Sequence, residues 1–159
     1  EKKIKSQVVG LRYFNVFGPR EAHKNNMASV VYHFNNQINE TEQVQLFSGS
    51  HGYDDGEQCR DFIFVDDIID MNLWMMNNPN ISGIYNAGTG VAHSFNEIAN
   101  TVIKNRKKGK IKYIPFPKEL EECYQSFTQA NLKNLRSVGY KKEFTSLSKG
   151  VSAYLDEIC

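Results

Sequence analysis

The sequence predicts an α/β protein. Three observations support this. Short apolar runs of strand length, such as Gln7–Phe14 and Arg60–Val65, are rich in β-branched and aromatic residues. Between them lie segments whose apolar residues recur at helical spacing, such as Val30, Val31, Phe34 and Ile38. At 159 residues the chain is also long enough for one domain with its own core. Strands that alternate with helices are the signature of this class.

The elements follow in order. Gln7–Phe14 reads as a strand that leads into the loop Asn15–Arg20. It is apolar nearly throughout, which suits burial on both faces of a parallel sheet, and a strand so buried needs neighbours. Met27–Ile38 has helical periodicity, and Val44–Phe47 is a short strand. The polar, glycine-bearing stretch 48–58 reads as an exposed loop. Arg60–Val65 is the next strand. Asp66 and Asp67 then start a helix through Met75, because carboxylates accept the free N–H groups of a first turn. The pair invites a metal-binding reading, but nothing else in the motif supplies ligands, so a cap is preferred. Asn77–Asn80 breaks that helix, and Gly83–Gly88 is a strand that turns at Thr89–Gly90. Ser94 with Glu97 forms a capping box for a helix carrying Ile98, Val102 and Ile103. Ile111–Phe116 is a strand, a short helix covers about 129–138, and a last helix starts near Ser146. No repeat, low-complexity segment or dividing linker is present.

Composition narrows the function classes. Hydrophobic residues make up 40% and charged residues 23%, with a net charge of +1. That balance speaks against a nucleic-acid partner. The lysine-rich stretches at 2–5 and 104–112 read as solvated surface. No apolar run approaches the roughly 20 residues of a membrane span, and Glu1–Lys5 does not open a secretory signal. Cys59, Cys123 and Cys159 lie far apart without metal-ligand spacing, which suits reduced thiols in the cytoplasm. His51 and His93 have no partner pattern. No Gly-x-Gly-x-x-Gly fingerprint occurs, and Gly88-Thr89-Gly90 is too short to replace one. These features alone describe an α/β segment and no activity.

Three motifs say more. They are Arg12-Tyr13-Phe14-Asn15-Val16-Phe17-Gly18-Pro19-Arg20, Arg60-Asp61-Phe62-Ile63-Phe64-Val65-Asp66-Asp67 and Gly83-Ile84-Tyr85-Asn86-Ala87-Gly88-Thr89-Gly90. In order and spacing they resemble the extended short-chain dehydrogenases/reductases that act on nucleotide sugars. Two further stretches, Gly18–Val30 and Tyr124–Leu132, are similar to the ADP-heptose 6-epimerases within that group, and Asn134–Tyr140 adds to them.

The resemblance covers nearly the whole chain and implies a fold. The chain would be the carboxyl-terminal part of a Rossmann-type NAD(P)-binding fold plus a small α/β substrate-binding domain. Late Rossmann elements would occupy about 6–20 and 60–105, interleaved with substrate-binding elements at about 21–59 and 106–159. The cofactor fingerprint and catalytic tyrosine would lie upstream of Glu1, so this segment alone is expected to be inactive.

It also implies a reaction. ADP-heptose would be epimerised at C6 through a transient ketone, with NADP as cofactor. The setting would be a cytoplasmic homo-oligomer that serves lipopolysaccharide core synthesis. Inversion of a carbinol carbon needs an acid/base on each face. The tyrosine would be one, and Lys24 aligns with the other. Lys24 also aligns with a cofactor contact, and Val16 with a position near the nicotinamide. A lysine serves as a base only where burial or nearby cations favour its neutral form. Read without the motif, Lys24 is an ordinary solvated lysine.

Asn15, Asn26, His33, Phe47, Ser48, Gly49, Ser50, Arg60 and Tyr124 align with substrate contacts. Asn26 stands where the family often has serine. His33 reads equally well as a locally satisfied helix histidine. The turn 47–50 offers N–H groups and hydroxyls to a diphosphate. The guanidinium of Arg60 suits phosphate, although a surface salt bridge with Asp54, Asp55 or Glu57 is the ordinary alternative. For Tyr124 the ordinary alternative is a core tyrosine beside Phe127. Two other functions stay open: another nucleotide-sugar epimerase or dehydratase of the group, or a sugar-nucleotide binding module without catalysis.

Overall fold

The computed structural model describes residues 6–158. The lysines at 2–5 and Cys159 lie outside the described residues. The architecture is mixed α/β with three small sheets. Strand β1 (Val9–Tyr13) pairs in parallel with β5 (Gly83–Ala87). Strand β2 (Asn15–Phe17) pairs in parallel with β4 (Cys59–Phe64), and β4 pairs antiparallel with β6 (Ala92–Ser94). Strand β3 (Gln43–Phe47) pairs in parallel with β7 (Lys110–Ile114). The helices are α1 (Val30–Thr41), α2 (Val65–Met76), α3 (Phe95–Arg106), α4 (Lys133–Ser137) and α5 (Leu147–Glu157). A 3-10 turn, Ala22–Met27, precedes α1.

Two apolar cores result. One gathers Phe17, Val31, Phe34, Ile38, Ile98, Val102 and Tyr154. The other gathers Ile63, Met71, Met75, Tyr85, Leu135 and Tyr140. Strand β4 feeds both. Its side chains alternate between faces, so Phe62 and Phe64 enter the first core and Ile63 the second.

The capping box of α3 forms as the sequence predicts: Ser94 Oγ accepts from Glu97 N–H, and the Glu97 carboxylate accepts from Ser94 N–H. Other expectations change. The predicted first strand is half-exposed, and β5 is its only strand neighbour among the described residues. The chain breaks at Phe14, and Asn15–Phe17 joins a different sheet. Helix α1 starts three residues later than its periodicity suggests, because Ser29 caps it and a 3-10 turn occupies Met27. Helix α2 starts at Val65 with no side-chain cap. Asp67 instead accepts from the N–H and hydroxyl of Thr145, at 2.9 and 3.1 Å, and ties down the approach to α5. The helix expected from about 129 starts at Lys133, because the residues before it are held to β4. Strand β6 was not expected; it is short and polar. The loop 48–58 is not wholly exposed, since Gly56 and Gln58 are buried.

No helix among the described residues is long and apolar enough to cross a membrane. Nor do they contain a cluster of three His, Cys, Asp or Glu able to hold a metal ion. Lys104, Lys107, Lys108, Lys110 and Lys112 are exposed, as expected of a solvated face.

Candidate substrate site

Strand β4 presents Arg60 on the side of β3 and the segment after β7. Arg60 is 9% exposed. Its guanidinium carbon lies 4.9 Å from the ring centre of Tyr124 and 5.8 Å from that of Phe95. One nitrogen donates to the Cys59 carbonyl at 2.9 Å. Among the described residues it makes no ion pair, so the salt bridge with Asp54, Asp55 or Glu57 does not form. A buried cation held on aromatic faces with donors to spare is an anion site in waiting. Burial pushes the Tyr124 phenol above its ordinary range, and the Arg60 charge partly offsets this.

Beside Arg60, Phe47, Phe116 and Tyr124 pack edge to face, with centroids 5.0 to 6.5 Å apart. Phe47 and Tyr124, with Phe34, Phe95 and Gln58, line a mostly apolar cavity of about 300 Å³. The turn contributes the Phe47 ring rather than a donor cradle. The N–H and hydroxyl of Ser48 both donate to the Ile114 carbonyl, and Gly49 N–H donates to the Asp55 carboxylate at 2.7 Å. Ser50 Oγ accepts from Gln58. With Ser48 and Gly49 committed, the expected diphosphate cradle is not available in this turn.

Asn15 lies across β4 from Arg60. It pairs in register with Phe62, two residues beyond Arg60 on the same face of the strand. Strand spacing and rise put the two Cα atoms about 8 Å apart. Asn15 is exposed and lines an open pocket of about 510 Å³ with Arg12, Asn86, Gln125 and Thr128. The segment 124–130 is therefore shared: Tyr124 lines the apolar cavity beside Phe47, and Gln125 and Thr128 line the Asn15 pocket.

That segment is stitched to β4. Cys59 N–H donates to the Ser126 carbonyl at 2.9 Å, and Thr128 N–H donates to the Cys59 carbonyl at 3.1 Å. Below them the Asp61 carboxylate, fully buried, accepts from Thr89 N–H, Thr89 Oγ1, Gly90 N–H and Ala130 N–H at 2.7 to 3.0 Å. Gly88 makes this possible, because a Cβ there would lie 2.6 Å from Ala130 and 2.8 Å from Asp61. Phe95, Phe116, Gln125, Thr128 and Asp61 were not singled out in the sequence. Asp61, Gln125 and Thr128 lie within motifs the sequence shares with the family, but no role was attached to them.

The remaining candidates stand apart. Lys24 and Asn26 are exposed on the 3-10 turn, and no side-chain hydrogen bond, ion pair or ring contact ties them to either pocket among the described residues. Glu21, 4% exposed, anchors this turn by accepting from the N–H and hydroxyl of Ser29 at 2.7 and 2.5 Å. Its carboxylate also receives the Tyr154 hydroxyl; burial first and this bond second push the Tyr154 phenol far up. His33 is half-buried, edge-on to Tyr32 at 5.7 Å. Val16 is half-buried and packs on the second core. Tyr124 turns to Arg60, whereas Phe127 is half-exposed. Burial, with Glu57 and Glu97 nearby, pushes the Cys59 thiol up, which disfavours a reactive thiolate.

The described residues do not fit a dinucleotide by themselves. Two N–H groups of the Gly88-Thr89-Gly90 turn already serve Asp61, and its concave side is filled by Ala130 and Leu132. No step through a nicotinamide is therefore assigned to residues of this chain.

The chain is similar to known proteins in sequence and in fold. An ADP-L-glycero-D-manno-heptose-6-epimerase from Alkalilimnicola ehrlichii is 54% identical over 155 residues, covering 98% of this chain and 48% of the relative. The crystal structure of the Helicobacter pylori ADP-L-glycero-D-manno-heptose-6-epimerase superposes with a TM-score of 0.78 at 34% identity, over 94% of this chain and 43% of that one. The UDP-glucose 4-epimerase of Thermotoga maritima, solved with UDP-glucose, gives 0.75 at 25% identity, over 94% and 45%. The chain thus spans about half the length of the relatives it matches. The NAD dependent epimerase/dehydratase family matches residues 1–88, more than half of the chain, and the Arg60 and Asn15 motifs fall inside that match. The chain belongs to the NAD dependent epimerase/dehydratase family.

Proposed function

We propose that this chain forms the sugar-nucleotide-binding portion of an NADP-dependent ADP-heptose 6-epimerase that acts in lipopolysaccharide core synthesis. The observation that carries the reading is Arg60: a buried guanidinium between Tyr124 and Phe95, with no carboxylate partner among the described residues. A diphosphate supplies the missing counter-charge. The adjoining apolar cavity under Phe47 takes the flat nucleobase. Asn15, about 8 Å away by strand geometry, meets the sugar. The 54% identity to a relative of that name supports ADP-heptose over other sugar nucleotides.

Lys24 is the second acid/base of this reading, and Asn26 and His33 bind substrate. The exposed Lys24 amine has to be covered by substrate or by other protein surface to act as a base. The nicotinamide supplies the redox chemistry of such an epimerisation, while these residues bind, orient and move protons.

Turnover tests the proposal. The full-length protein carrying this sequence converts ADP-D-glycero-D-manno-heptose to the L-glycero epimer, read by NMR of the C6 proton, and leaves UDP-glucose and dTDP-glucose unchanged. Absence of ADP-heptose turnover sinks the reading. Conversion of UDP-glucose instead moves the chain to the 4-epimerases. The isolated 159 residues give no turnover.

A further inference from the structure

Glu21 is a buried acidic group that the proposed reaction leaves unused. It is 4% exposed and has no ion-pair partner among the described residues. One oxygen accepts from the Ser29 N–H and the other from the Ser29 hydroxyl, and the Tyr154 hydroxyl also reaches the carboxylate. Burying such a group costs free energy unless donors replace the lost water, and these three donors do so.

The segment that Glu21 holds is the turn carrying Lys24. All six residues of that turn, 22–27, are exposed, and the buried Glu21 and Ala28 flank them. Two of its hydrogen bonds stay inside it: Lys24 N–H donates to the Glu21 carbonyl at 2.9 Å, and Ala28 N–H donates to the Asn25 carbonyl at 3.0 Å. Its backbone is strained. Arg20, just before Glu21, has a φ of 70°. Asn25, just after Lys24, has a φ of 49° with a ψ of −123°, outside the left-handed helical region that asparagine ordinarily uses. Such conformations persist only where the surrounding structure enforces them, and they gather at functional sites. The Glu21 carboxylate supplies the enforcement, because it ties the turn to the start of α1 through Ser29 and to the first core through Tyr154 on α5. The cap of α1 is a separate bond, from Tyr32 N–H to Ser29 Oγ.

We propose that Glu21 is a positioning residue for the epimerisation: together with Tyr154 it fixes the turn 22–27, so that the Lys24 amine stands where the proton is exchanged. This rests on the role of Lys24 in the reading above. Misplacing a reacting group by about 1 Å costs up to about a hundredfold in rate, and an exposed turn fastened only at its ends has no other safeguard.

Steady-state turnover of ADP-heptose by the full-length protein tests this, with calorimetric titration of ADP as the control for the Arg60 site. Glu21→Ala lowers kcat by at least about tenfold and leaves ADP affinity within about twofold, a change smaller than one hydrogen bond. Glu21→Gln recovers most of that loss, because its amide oxygen accepts from Ser29 N–H while its NH2 donates to the two hydroxyls. Tyr154→Phe keeps the ring in the core, removes one donor, and lowers kcat by at least about threefold; it decides the matter if Glu21→Ala does not fold. In a Lys24→Ala background, where the positioned amine is absent, Tyr154→Phe has no further effect on kcat. Wild-type kcat in Glu21→Ala or in Tyr154→Phe overturns the inference. An equal fractional loss with and without Lys24 also overturns it, as does a matching loss of ADP affinity, because both are the pattern of structural damage. Undiminished turnover by Lys24→Ala removes the role of Lys24 and this inference, and leaves the sugar-nucleotide reading standing. Absence of turnover by wild type sinks that reading itself.

Discussion

Asp61→Asn replaces a buried anion by a neutral group of the same shape, and the structure sets the cost. Asp61 Oδ1 accepts from Thr89 N–H and Thr89 Oγ1, and Oδ2 accepts from Gly90 N–H and Ala130 N–H. An asparagine has one oxygen and one NH2. With the NH2 toward Gly90 and Ala130, two backbone donors face a donor. With the NH2 toward Thr89, the threonine hydroxyl reverses and accepts, and only the Thr89 N–H is stranded. The second arrangement is cheaper. It still loses one hydrogen bond to a charged acceptor and orphans a buried N–H, together about 3 kcal/mol. For a chain of this length that lowers the melting temperature by about 6–12 °C. Thermal unfolding followed by circular dichroism at pH 7 measures it. Amide exchange at Thr89 rises first, because its N–H is the donor left without an acceptor. A drop below about 2 °C refutes the argument that this carboxylate holds the segment 124–130 on β4.

Three other outcomes follow from the same geometry. Asp67→Asn behaves oppositely: its single amide oxygen accepts from Thr145 N–H while its NH2 donates to Thr145 Oγ1, so stability at pH 7 stays within about 1 kcal/mol of wild type or rises. Burial, only partly offset by Thr145 and Lys142, raises the Asp67 carboxyl above its ordinary 3.8. The folded state therefore holds this proton more tightly than the unfolded chain. The Asp67 contribution is fully present below pH 3.8 and fades as pH rises through the higher folded value, so urea titrations from pH 3 to 7 show that dependence in wild type and not in Asp67→Asn. Arg60→Lys keeps the charge but loses the planar stack on Tyr124 and the paired phosphate geometry. Calorimetry shows ADP binding at least about tenfold weaker, with melting nearly unchanged. Gly18→Ala places a Cβ 2.3 Å from Val65 Cγ1 at a φ of 155°, and urea denaturation records a loss of about 2–3 kcal/mol, partly restored by Val65→Ala.

Elements written in local code were legible in the sequence. Helix α3 is an example, because its capping box lies within four residues and its buried face repeats at helical period. Strand β4 is another: its stretch Phe62–Phe64, which feeds two cores, shows as consecutive apolar residues. What stayed hidden depends on distant partners. Asp67 looks like a cap until Thr145, 78 residues on, claims its carboxylate. Residues before Lys133 look helical until Asp61, 69 residues back, takes the Ala130 N–H. The end of the first strand at Phe14 was legible, but Asn15–Phe17 reads as loop until β4, more than 40 residues on, pairs with it as a strand. The site shows the same division. Arg60 and Tyr124 were selected through motif resemblance, but their stacking, and the roles of Phe95 and Thr128, depend on chain separations that leave no periodic trace.

Phe14 also has a mechanical consequence. Its N–H closes β1 on the Ala87 carbonyl at 3.0 Å, and its own carbonyl accepts from Val16 N–H at 2.9 Å as β2 begins. A single residue thus links two sheets, with Leu11 packed on the second core before it and Phe17 buried in the first core after it. Such a joint has two soft dihedrals, and the hydrogen bonds on both sides oppose their rotation. The Arg12–Asn15 stretch is therefore a fixed corner rather than a hinge. A ligand that meets Asn15 finds it already in position, so little ordering of the backbone opposes binding, and discrimination between ligands falls to the side chains around that corner.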